Sequence, residues 1–163
     1  MNLHPKMKSL FCAVMVLVLG GLSSIAKDFQ AGNLVIGDPW APPGIGQQRI
    51  GAVYFSIRNQ GQAHERLKGI ELPDGGRAML HGSIMQDGIM RMRPLDGIEI
   101  PAGDKVALLP GAMHVMLTDL SGPLRKDAKL RLVLRFEQAG PVEVQAMVRP
   151  RPATQAPPSH PGH

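Results

Sequence analysis

Methionine and histidine are concentrated in one short stretch of this chain. Beyond residue 26 the sequence holds seven methionines, and six of them, Met79, Met85, Met90, Met92, Met113 and Met116, fall between positions 79 and 116. Two of the five histidines beyond residue 26, His81 and His114, lie in the same window. Methionine commonly fills gaps in cores, so clustering alone does not make a site. Spacing carries more. In His114-Val115-Met116 the outer two side chains, two apart on a strand, share a face while Val115 points away. The preceding Leu109-Pro110-Gly111-Ala112 reads as a loop, which places the pair at the beginning of a strand.

A second pair follows from a turn. Asp87-Gly88 between two apolar runs predicts a two-residue type I′ hairpin. That register sets Met85 opposite Met90, Ser83 opposite Met92 and His81 opposite Pro94, so His81 and Met92 become diagonal neighbours on one face. Thioether sulfur is soft and neutral and suits Cu(I) far better than Zn(II), Ca(II) or Mg(II), while imidazole accepts either copper state. Two Met and two His without carboxylate or thiolate make a neutral site for a soft monovalent cation. Thioether has no proton to lose near neutral pH and forms no disulfide, which fits an oxidising compartment.

The elements that must position these residues are strands. Short alternating or apolar runs recur at roughly ten-residue intervals between Gly, Pro, Asn and Asp, the pattern of a β-sandwich or barrel. The predicted strands are Leu34–Asp38, Gly51–Asn59, Glu65–Leu72, Arg77–Met85, Ile89–Pro94, Gly97–Ile100, Lys105–Leu109, His114–Asp119, Lys129–Glu137 and Val142–Val148. Alternation is clearest in Leu130-Arg131-Leu132-Val133-Leu134-Arg135-Phe136, whose even positions are apolar.

The ends of the chain differ from this middle. Lys6 and Lys8 precede an uncharged run from Leu10 to Leu22, and small residues Ser23, Ser24 and Ala26 follow, so residues 1–26 read as a secretory signal peptide. Residues 27–148 form the domain, and the proline-rich residues 149–163 a flexible tail. The single cysteine, Cys12, lies within the signal and ahead of most of its apolar run, where a lipoprotein signal would place it after. The mature chain therefore has no disulfide and no thiolate, and no membrane anchor is expected after cleavage.

Eighteen basic and thirteen acidic residues leave a mild positive charge, scattered along the chain, and one Trp, one Tyr and four Phe give no stacking platform for nucleic acid. Paired-carboxylate and nucleophile-elbow motifs are missing, so hydrolytic catalysis finds no support. An electron-transfer blue-copper site requires a cysteine thiolate. An oxidative copper enzyme with an amino-terminal histidine ligand is disfavoured by the expected start at Lys27.

His81, ten residues, Met92, twenty-one residues, His114, one residue, Met116: this spacing resembles the His-x10-Met-x21-His-x-Met pattern of the PCuAC family of periplasmic copper chaperones. The surrounding sequence is similar too, in Asp38-Pro39-Trp40-Ala41-Pro42-Pro43, Gly51-Ala52-Val53-Tyr54-Phe55, Asp87 to Pro94, Ile100-Pro101-Ala102-Gly103 and Leu109 to Leu117. The resemblance spans roughly residues 33–148. It implies an all-β, cupredoxin-like Greek-key sandwich, a non-enzymatic monomer that binds Cu(I) through His81, Met92, His114 and Met116 in the periplasm. It further implies delivery to the CuA centre of cytochrome c oxidase, directly or through a Sco-type chaperone. Copper storage or resistance at the same ligands is the alternative. Met79 stands where the family commonly has Glu, and is either an extra sulfur donor or packing. Met90 is expected as auxiliary donor or hydrophobic cover, Met85 and Met113 as shields or core, His64 as a solvated turn residue and Trp40 as a core lid. His160 and His163 in the tail either capture Cu(II), which imidazole and carboxylate oxygen favour, or are solvated and silent.

Overall fold

Alternation of apolar and polar side chains builds the sheets. The computed structural model describes residues 28–151, and every regular element among them is a strand. In chain order these are β1 (Phe29–Ala31), β2 (Leu34–Ala41), β3 (Gly51–Asn59), β4 (Glu65–Glu71), β5 (Arg77–Gln86), β6 (Ile89–Pro94), β7 (Ile98–Ile100), β8 (Lys105–Leu108), β9 (His114–Thr118), β10 (Lys129–Phe136) and β11 (Pro141–Val148). In β10 and β11 the buried residues are Leu132, Leu134, Phe136, Val142, Val144, Ala146 and Val148, each two apart from the next on its strand. The residues between them are polar or partly exposed, as a half-buried strand requires.

The strands form one mixed sheet in the order β6-β5-β9-β3-β2-β11-β10-β4-β7, with β1 added to β2 and β8 to β3. The first half of β3 pairs with β9 and the second half with β8. The sheet thereby divides into two faces that share one apolar cluster, drawn from β2, β3, β4, β5, β7, β8, β9, β10 and β11. All these pairings are antiparallel except β11 with β2, where Met147 and Val148 lie beside Trp40 and Ala41. This is the all-β, cupredoxin-like architecture expected from the sequence.

Seven strands depart from the expected bounds by one residue, and two elements differ by more. Three-residue β1 has too little alternation to be visible in sequence. Strand β2 runs on past Asp38 to Ala41, because a bulge with Asp38 at φ 49° carries the chain through Pro39 and returns Trp40 to the ladder opposite Tyr54. Trp40 is thereby 1% exposed, stacked on Tyr54 at 4.9 Å between ring centroids, and belongs to the core.

The turn between β10 and β11 is held onto β4 by a buried carboxylate. Glu65 accepts backbone N–H bonds from Arg66 (2.8 Å), Glu137 (3.1 Å), Gln138 (3.0 Å) and Ala139 (2.9 Å). Burial pushes its pKa up, but the four N–H donors outweigh that and hold it below the ordinary carboxylate value. The carboxylate therefore contributes stability above pH about 4.3, and the contribution is lost as pH falls through the lowered value. Glu65→Gln is expected to cost about 2–3 kcal/mol near neutral pH. Urea melts would show the gap between variant and parent closing on acidification, whereas a gap independent of pH would contradict this account.

Candidate metal site

Local turn chemistry sets the site's register. Asp87 (φ 52°) and Gly88 (φ 75°) both take the left-handed conformation of a type I′ turn, and Gly88 does so without a Cβ penalty. The resulting hairpin pairs Met85 with Met90, Ser83 with Met92 and His81 with Pro94, the register expected from sequence. On the other edge of β5, His81 lies opposite His114 and Met79 opposite Met116. Strand β9 begins at His114 because Leu109–Ala112 closes a turn, with the Ala112 N–H donating to the Leu109 carbonyl at 3.0 Å and Gly111 at φ 86°.

These three strands have a dry face and a wet one. Leu80, Gly82, Val115 and Leu117 are buried on the inner side. Leu95 seals it at Gly82, approaching within 3.0 Å of where a Cβ would stand. The outer face carries Met79, His81, Ser83 and Met85 on β5, Met90 and Met92 on β6, and His114 and Met116 on β9. The imidazoles stand at the centre, with Met116 and Met79 on one side and Met92 on the other. No carboxylate shares these positions, and among the described residues no three His, Cys, Asp or Glu side chains come together as metal ligands. A metal held here must therefore use sulfur as well as imidazole.

The two histidines are in edge-to-face contact, 5.7 Å between ring centroids at 70°. His114 is only 8% exposed, and the Tyr54 ring lies 6.4 Å from it. Burial lowers the His114 pKa most, and the neighbouring His81 charge lowers it further, against the Ala112 carbonyl, which accepts a hydrogen bond from the imidazole. Burial also holds the Tyr54 phenol up, against the opposing charge of Arg151.

Ser83 was not singled out in sequence. Its hydroxyl lies 3.1 Å from the Met92 sulfur and 3.2 Å from the Ala112 carbonyl oxygen. One hydroxyl proton serves one acceptor at a time, so Met92 has a free sulfur lone pair when the proton is on Ala112. Strand parity with His81 was the signal that could have found it. Tyr54, one strand further away, offered no such signal.

The structure thus gathers His81, Met92, His114 and Met116 on one face, and Met79 and Met90 with them. Met113 is half-buried against the core, as expected. Met85 is not a shield: it is 65% exposed, because the outer half of the hairpin projects past the residues that would cover it. His64 is exposed. His160 and His163, like the expected signal segment, lie outside the described residues.

A family model described as "Putative lipoprotein LpqE-like" matches residues 34–148. A "Putative lipoprotein" of Leifsonia xyli subsp. xyli is 28% identical over 99 residues, which is 60% of each chain, so this chain matches well under the whole length of that relative. Among experimental structures, the copper-bound PCuAC domain from PmoF2 superposes with a TM-score of 0.65 at 24% identity, over 76% of this chain and 97% of that one. The apo form of that domain gives 0.62 at 25% identity, covering 76% and 94%. Apo-DR1885 from Deinococcus radiodurans gives 0.58 at 21% identity, covering 89% and 97%. The PCuAC resemblance read from sequence is thus matched in the fold.

His114 is expected to titrate below the usual histidine value of about 6.5. The unfolded chain then takes up this proton before the native one does, so stability rises with pH between the lowered and the usual value and levels off above it. Imidazole NMR titration of the metal-free protein tests this. In His81→Gln the His114 midpoint should rise yet stay below the usual value, since burial is the larger cause. A midpoint at or above that value would contradict the reading.

Proposed function

The chain belongs to the LpqE-like family, and on that footing we propose that it is an exported, non-enzymatic copper carrier that binds Cu(I) through His81, Met92, His114 and Met116. One observation carries the reading: His81 stands opposite His114 on an outer sheet face, with the thioethers of Met116 and Met92 on either side and no carboxylate among them. Soft neutral sulfur selects Cu(I) over hard divalent ions. The lowered His114 pKa keeps one imidazole neutral, hence available as a ligand, at mildly acidic pH. The copper-bound state of a PCuAC domain with the same fold supports the choice of metal.

The lipoprotein descriptions of the family and of the Leifsonia relative support export, and the apolar segment after Lys6 and Lys8 supports a periplasmic destination. In this reading the copper passes to an accepting protein, either the CuA domain of cytochrome c oxidase or a Sco-type chaperone. A thiolate-free site whose Met92 is half exposed favours transfer over permanent storage, because its ion can be reached by incoming ligands from that side. In this reading His160 and His163 of the proline-rich tail add a Cu(II) capture point, since imidazole and carboxylate oxygen favour Cu(II).

Titration with Cu(I) against a competing chelator is expected to give one tight equivalent in the Met/His site. Met92→Ala and Met116→Ala should each weaken it by roughly 10- to 100-fold or more, at least the loss seen when an outer-shell partner is removed. Preference for Zn(II) over Cu(I), or unchanged affinity in both variants, would refute the assignment. For the tail, a chain ending at Arg151 should bind fewer Cu(II) equivalents than the full-length protein, and equal numbers would remove His160 and His163 from the scheme.

A further inference from the structure

The methionines at the outer end of the hairpin are not explained by the four-residue site. Met85 and Met90 are direct cross-strand partners, 65% and 57% exposed, and neither packs on the core cluster. Long apolar side chains left in water contribute nothing to folding here, and methionine is uncommon on strands, where β-branched residues fit better. Met92 lies two residues from Met90 on the same strand and diagonal to Met85, and is itself 50% exposed. Directly opposed side chains have Cβ atoms about 5 Å apart, and same-face neighbours along a strand about 7 Å. Three unbranched thioethers at those separations can turn their sulfurs toward one point. Arg91 and Arg93 point to the opposite face, where Arg93 donates to Gln86 at 2.8 Å, so no cation competes for that point.

We propose that Met85, Met90 and Met92 form a second, three-sulfur site for a soft monovalent cation, and that it shares Met92 with the histidine site as a transfer port. The inference rests on the copper reading above for the identity of the ion. Three thioethers suffice for Cu(I) or Ag(I), which accept low coordination numbers and soft donors. Movement between the sites is ligand exchange alone: the Met92 sulfur stays bound while the imidazoles and Met116 leave and Met85 and Met90 arrive. The ion remains monovalent throughout, and neither an electron nor a proton is transferred. Ser83 stands at the junction, and its hydroxyl, held by the Ala112 carbonyl while Met92 is metal-bound, returns to the sulfur when the ion departs.

The test uses full-length mature protein with 13C-labelled methionine methyl groups, titrated with Ag(I) as a redox-inert probe and then with Cu(I). The first equivalent should shift the Met92 and Met116 methyls, and the second those of Met85 and Met90 and again that of Met92, whose sulfur the two sites share. In a Met85→Leu, Met90→Leu variant the apolar surface persists but the sulfur is gone. That variant should keep the first equivalent and lose the second, and should release Cu(I) to a chelator roughly tenfold more slowly than the parent. Met85 and Met90 methyls that stay still through two equivalents, a second equivalent retained by the leucine variant, or unchanged release would each overturn the port while leaving the histidine site intact. If the Met85 and Met90 methyls respond while that of Met116 does not, the three-sulfur site stands, its role as a port is overturned and the four-residue site fails.

Discussion

His81 and His114 face each other across β5 and β9 because Leu80, Val115 and Leu117 point the other way, into the core. Each of those buried side chains contributes roughly 2 kcal/mol by leaving water, and none can do so in a slipped register. A shift of one residue would turn the leucines and valine outward and the histidines inward. The imidazoles are therefore held in place by the burial of their chain neighbours, with no bond between the rings required. The same parity, carried across the Asp87-Gly88 turn, sends Met92 to that face, and carried along β9 it sends Met116. Gly82 completes the arrangement from beneath, since a Cβ there would stand within 3.0 Å of the Leu95 side chain, which would have to give by a few tenths of an ångström.

What could be read in the sequence was what local rules determine. The hairpin register followed from two turn residues, and the common face of His114 and Met116 from a spacing of two. Strands β3 and β6 were placed to the residue, and the alternation of β10 and β11 marked their buried positions. The pairing of β5 with β9 was not legible, because some thirty residues separate His81 from His114 in the chain and only the closed core selects their partnership. Ser83 was passed over for the same reason. Its importance comes from the Ala112 carbonyl, in the turn before β9, which no local rule sets beside it. Trp40 was recognised as a core residue, but the bulge that brings it there depends on a left-handed aspartate that composition does not reveal.

The two ends of the β5–β6 hairpin are under different constraints. Near His81 one face is packed and the chain has little freedom. Beyond Ser83 both faces are open to water and the strand pair is held by its ladder and turn alone. The rigid half fixes imidazole positions to within the tolerance of packed side chains, while the projecting half leaves its methionines free to change rotamer. A site that must hold an ion and also let it go benefits from both properties in one element. The parallel contact between β11 and β2 adds to this by fixing the end of β11 beside Trp40, whose ring stacks on Tyr54 next to His114.

The donors on the outer face are all uncharged: two imidazoles, one with its basicity suppressed by burial, and a set of thioethers. A monovalent cation entering such a set displaces no proton and meets no negative charge, so the face gains one whole positive charge on loading. Filled and empty forms then differ in surface potential at the point where another protein must approach, within the roughly 10 Å over which charge acts at moderate ionic strength. An anionic surface would draw in the filled form faster than it draws in the empty one, and would lose its hold once the ion has crossed over. The direction of traffic is thereby biased by electrostatics before any difference in ligand affinity comes into play.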